Sequence, residues 1–138
     1  MTRLITRFDG VRVPTDEYQP VWINSLADDV TIEGSAMDGV AQGAEAVRSI
    51  VTHIRTLYDR QEFQFAGPYG EDSFLEDYTA WVDGQPLGNV VLLTRNAAGH
   101  VQRIVANYRP RTTLLVVSRL VGEHLAGTPY AKHFATGD

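Results

Sequence analysis

The 138-residue chain contains no cysteine. Disulfide scaffolds, thiol nucleophiles, iron–sulfur clusters and cysteine zinc sites are excluded with it. No apolar run approaches the ~20 residues of a membrane span, so no membrane partner is expected. Basic charge is scarce: 12 Lys and Arg against 17 Asp and Glu give a net charge of −5. A nucleic-acid backbone is not the expected partner of such a chain. The segment Met1-Thr2-Arg3-Leu4-Ile5-Thr6-Arg7-Phe8-Asp9 lacks the long apolar core and small-residue cleavage site of a secretory leader, which makes the cytoplasm the expected compartment. No two histidines stand four apart, and Asp28-Asp29 fit no EF-hand spacing. The glycines make neither a P-loop nor a dinucleotide fingerprint, and no serine sits in a Gly-x-Ser-x-Gly elbow. Neither a metal nor a cofactor is expected.

Hydrophobic residues make up 43% of the chain and charged residues 21%, a globular composition. No repeat, linker or low-complexity stretch divides it, so residues 1–138 read as one domain that buries about two-thirds of its unfolded surface. Charge is uneven along it. Residues 1–93 carry 6 cations against 15 acids, and residues 94–138 carry 6 against 2. The cations form no run, so the simplest reading is that elements of opposite sign pair in the fold.

Periodicity predicts a short helix over 2–8, broken by Gly10 and Pro14. A second, over 16–27, is marked by Tyr18, Val21, Trp22 and Leu26 at spacings of three to five. Residues 29–33 read as a strand with Val30 and Ile32 inward, and 34–43 as a loop. Over 44–59 Val47, Ile50, Val51, Ile54, Leu57 and Tyr58 form one apolar helical stripe. The period then changes to two, predicting strands over 62–66, 73–82, 89–94 and 101–108, with Asp83-Gly84 as a turn. Residues 112–125 read as a helix, although 112–117 also fit a strand. Consecutive strands joined by short turns, with helices on one face, define an α+β domain.

Within 73–82 the better core face is Phe74, Glu76, Tyr78, Ala80 and Val82. It carries Glu76 inward among aromatics, where desolvation raises a carboxyl pKa toward the range of a general acid or base. The competing reading is a register slip that puts Glu76 in water, or an ion pair with Arg103 or Arg109. Tyr78 and Tyr108 read either as donors to a ligand oxygen or as packed core residues. Tyr18 and Trp22 read as a pocket lid or as a core stripe. His53 reads as a rim residue or as a half-buried flank of its helix.

Three segments carry a resemblance. Leu26-Ala27-Asp28-Asp29-Val30-Thr31-Ile32-Glu33-Gly34 leads into the first strand. Gln42-Gly43-Ala44-Glu45-Ala46-Val47-Arg48 opens the long helix. Asn96-Ala97-Ala98-Gly99-His100-Val101, with Ile104 and Asn107-Tyr108-Arg109-Pro110, resembles a terminal hairpin. Together, over roughly residues 16–110, they resemble the nuclear transport factor 2-like superfamily, in its SnoaL-like and ketosteroid isomerase-like branch. The resemblance implies a curved antiparallel sheet wrapped around N-terminal helices, a cone with a central pocket for a small hydrophobic ligand. It also implies a homodimer, through the outer faces of 89–94 and 101–108 or through the 114–125 helix. Where isomerases of the family place their base, this chain has Gly34. Where many members place an inward aspartate, it has Val91. The family's first-helix tyrosine falls near Gly10.

Two functions follow from these readings. One is an isomerase, cyclase or epoxide hydrolase with Glu76 as acid–base, Tyr78 or Tyr108 polarising an oxygen, and Tyr18, Trp22, Phe74 and His53 about the ligand. The other is a non-catalytic ligand-binding or protein-interaction module, which Gly34 and Val91 favour.

Overall fold

The computed structural model describes residues 4–6, 10–14 and 20–134. Among the described residues eight strands form one open sheet: β1 (Leu4–Thr6), β2 (Arg12–Pro14), β3 (Leu26–Gly34), β4 (Ala41–Gln42), β5 (Arg60–Pro68), β6 (Ser73–Val82), β7 (Gln85–Arg95) and β8 (Val101–Arg109). Their order across the sheet is β2-β1-β5-β6-β7-β8-β3-β4. Two helices, α1 (Ala44–Thr56) and α2 (Arg111–His124), complete the α+β architecture.

The central strands follow from the alternating pattern. Glu76, Tyr78, Ala80 and Val82 of β6 are buried, while the residues between them are half-buried. Asp83 and Gly84 join β6 to β7 with φ of 50° and 76°, the pair of left-handed residues that a two-residue hairpin turn requires. At the next turn the Asn96 side chain accepts from the Ala98 and His100 amides at 3.0 and 3.1 Å. β5 takes an extra residue between Phe63 and Phe65 in its pairing with β6. A bulge of this kind bends a strand and increases its twist.

The strand expected over 29–33 lies within β3, with Val30 and Ile32 buried, but the described residues before it depart from their local pattern. The expected helix over 2–8 is strand β1 where it is described, antiparallel to β2 and parallel to β5. Of the expected helix over 16–27, the described residues from Pro20 onward hold one 3-10 turn, Val21–Asn24, followed by β3; residues 16–19, Tyr18 among them, lie outside the described residues. Pro20, with extended ψ of 129°, stands as the N-cap of this turn. From Leu26 onward β8 supplies a partner, pairing in parallel with β3 from Leu26↔Val101 to Gly34↔Ala106. The sheet is therefore mixed, with parallel pairs at both flanks of an antiparallel centre.

Helix α1 buries Ala46, Val47, Ile50 and Ile54 and packs on β3. Helix α2 buries Val117 and Val121 and packs on β7 and β8. The buried Ser118 hydroxyl donates to the Ala36 carbonyl at 2.8 Å, fixing α2 to the loop after β3. Late cations do meet early acids: Arg103 pairs with Glu33 at 3.0 Å and Arg109 with Asp77 at 3.9 Å. Both pairs are exposed, so each is worth little alone. No helix among the described residues is long and apolar enough to cross a membrane.

Candidate functional site

The register of the three central strands builds the site in two rows. Tyr78 of β6 lies opposite Asn89 of β7, which lies opposite Tyr108 of β8. In the next row stand Glu76, Val91 and Ala106. Side chains two apart on a strand share a face, so both rows point into one cavity, which they line together. From α1 the cavity receives Val51, Ile54 and Arg55; the turn before β3 adds Pro20 and Trp22. Phe63 closes it beside Tyr78, its ring centroid 5.2 Å away and tilted by 54°. The cavity measures about 50 Å³, the volume within which the centre of a water molecule can move.

A polar chain crosses the first row. The Asn89 amide nitrogen donates to the Tyr78 hydroxyl at 2.7 Å, and the Tyr78 and Tyr58 hydroxyls lie 2.9 Å apart. Tyr58 follows α1 and is 1% exposed. Burial raises the pKa of all three tyrosines, Tyr58, Tyr78 and Tyr108. They stay protonated at neutral pH and keep hydroxyl protons to donate.

Glu76, 6% exposed, is the contrasting group. Its carboxyl is pushed up from 4.5 to about 7, first by burial. The Trp22 indole N–H and the Arg55 guanidinium favour the charged form and hold the shift back. The indole nitrogen is itself buried. Neither proposed ion pair of Glu76 forms: Arg103 goes to Glu33 and Arg109 to Asp77. A carboxyl with a pKa of about 7 at the wall of an apolar cavity can both take and return a proton near neutrality.

Among the residues singled out in the sequence, Glu76, Tyr78, Tyr108 and Trp22 line this cavity. Phe74 does not; it packs at the edge of the core one row beyond, opposite Pro68 and Leu93. His53 does not either. Ile54 and Arg55 carry the cavity side of α1, and His53 is turned away onto His124 of α2, with parallel rings 3.6 Å apart. The two histidines share a shallow outer depression with Glu45, Arg48 and Thr52. Four polar members escaped the sequence reading: Tyr58, Asn89, Arg55 and Gln61. Asn89 was recoverable by parity, since it shares its face with Leu87, Val91 and Leu93, all buried. Among the described residues no group of three His, Asp or Glu side chains could hold a metal ion.

Gly34, the position that the resemblance gives to a base, is closed by packing. A Cβ added to Gly34 would overlap the backbone carbonyl of Ala106, with the carbonyl carbon at 2.8 Å.

The chain matches no protein-family model and no curated protein. Solved structures do match. A conserved bacterial protein with a cystatin-like fold from Silicibacter pomeroyi superposes with a TM-score of 0.70 at 17% identity, over 76% of this chain and 74% of that one. A steroid delta-isomerase from Pseudomonas aeruginosa gives 0.68 at 17% identity, over 75% and 77%. A de novo designed protein with a curved β-sheet gives 0.58 at 17% identity, over 70% and 78%. The chain thus shares the α+β fold of these structures, the first of them described as cystatin-like, in line with the fold that the resemblance above implies.

Proposed function

We propose that this protein is a cofactor-independent acid–base enzyme of the isomerase type, acting on a small, mostly apolar molecule with one reactive oxygen. A single observation carries this reading: a carboxyl with a pKa of about 7 shares an apolar cavity with a chain of protonated tyrosine hydroxyls. Glu76 takes a proton from a carbon next to a carbonyl. The C–H electron pair moves onto the carbonyl oxygen, where tyrosine hydroxyls stabilise the enolate. The protonated Glu76 then returns the proton to another carbon, and no atom is gained or lost. The likeness to a steroid delta-isomerase supports the class at the level of fold alone.

The absence of a base at Gly34 and of an aspartate at Val91 is compatible with this chemistry. Glu76 is the cross-strand partner of Val91. The acidic group has moved one strand along the same row, a step of about 5 Å. The test is exchange of the acidic carbon-bound protons of cyclohexenone in deuterated water. The wild-type protein should accelerate exchange with an apparent pKa near 7, and Glu76→Gln should lose at least a hundredfold of that acceleration. Equal rates in both would favour the second reading, a non-catalytic ligand-binding module, for which the closed position at Gly34 speaks.

We also propose a homodimer formed by the outer face of the sheet. Leu75, Leu92 and Val105 lie side by side there across β6, β7 and β8, each half-buried in the single chain. A second copy would cover this aliphatic row. The cytoplasm is the proposed compartment.

A further inference from the structure

The interior of this sheet is filled more tightly than a pocket for a large fused-ring molecule requires. The Tyr58–Tyr78–Asn89 chain spans it. Phe63 stands against Tyr78, and Trp22 lines the same cavity. What remains is about 50 Å³ open to the centre of a water molecule. That is room for roughly four waters, or about 120 Å³ of liquid, close to the size of one six-membered ring bearing an oxygen. A steroid nucleus has four fused rings. Interiors packed to crystal-like density do not open by several ring volumes without cost.

We propose that the cavity selects a single-ring, or equally compact branched, oxygen-bearing ligand and leaves any second fused ring outside, with Val91 and Phe63 setting the limit. The inference rests on the ligand-binding reading above and adds to it the size class of the substrate. Val91 is placed to set that limit because it lies directly opposite Glu76. Phe63 is placed to do so because it lies opposite Tyr78 on the other neighbouring strand.

Two soluble enones separate the possibilities: cyclohexenone and its fused bicyclic homologue octalone, which has four more carbons. Each buried methylene multiplies affinity about fourfold. A cavity that enclosed the second ring would therefore bind octalone about two hundredfold tighter. The dissociation constants are read from backbone amide NMR shifts at Tyr78, Asn89 and Val91, which lie along the cavity wall. The expected result is that octalone binds the wild-type protein no more than threefold tighter than cyclohexenone. Val91→Ala or Phe63→Ala, checked for folding by circular dichroism, should then shift the ratio toward octalone by at least fivefold. Octalone binding more than threefold tighter to wild type overturns the size limit and leaves the ligand-binding reading standing. A ratio unchanged in both folded variants likewise removes these two residues as the limit. Failure of both enones to move those amides removes the ligand-binding reading and the size class together, whereas failure of octalone alone agrees with the size limit. If a variant does not fold, the wild-type ratio alone decides.

Discussion

Burial of Glu76 has a sign that can be read in stability. Its carboxyl titrates near 7 in the fold and near 4.5 outside it, so the folded chain holds a proton that the unfolded chain has released. Stability therefore falls as pH rises from about 4.5 to 7, by as much as about 3 kcal/mol. Glu76→Gln keeps the shape and removes the titration. It should be more stable than wild type at pH 8 and level with it at pH 4.5, as measured by urea unfolding. The same increment at both pH values would show that Glu76 is not the buried titrating group. Tyr78→Phe acts differently: it strands the Asn89 amide and the Tyr58 hydroxyl, which both meet the Tyr78 oxygen. A cost of about 1–3 kcal/mol is expected at every pH from 5 to 8. Alternation alone exposed Glu76 and Tyr78, because β6 is regular. Tyr58 and Arg55 were hidden because their place depends on how far α1 extends and how it turns on β3, which no spacing within α1 specifies.

At the scale of elements, local signals and distant partners compete. β6 was legible to the residue, since a period of two and an Asp-Gly turn both act over a few neighbours. Before Ala44 only the strand over 29–33 was legible, with Val30 and Ile32 buried inside β3; the helices expected over 2–8 and 16–27 do not match the described residues there. Trp22 and Leu26 stand at helical spacing, yet β3 is held by β8, whose residues lie far along the chain. A partner at that distance overrides a weak local preference. The contact of Gly34 with Ala106 follows from the same pairing and is testable. Gly34→Asp, which restores the family's acidic position, should fail to give a base and should instead lose about 2 kcal/mol or more by pushing β3 from β8. Thermal unfolding of Gly34→Ala gives the same answer without the charge; a melting temperature equal to wild type would mean that the two backbones can separate freely.

For the whole molecule, the uneven charge along the chain is resolved by the sheet order, which sets β8 between β7 and β3 and brings Arg103 to Glu33. The proposed homodimer is a property of this scale as well. Sedimentation equilibrium should give twice the 15.3 kDa chain mass, and Leu92→Arg, in the middle of the outer aliphatic row, should return the mass of one chain. A monomeric wild type would leave that row an ordinary feature of the surface.

The parallel pairing of β3 with β8 also bears on how the chain is made. While the ribosome works toward residue 101, β3 has been released and can pair with β4, but the edge that will meet β8 has no mate. Nascent chains stalled short of β8 should therefore be cut readily by protease within residues 26–34. Resistance there should arrive late and abruptly, when the last strand clears the exit tunnel and the sheet closes on its earliest long strand.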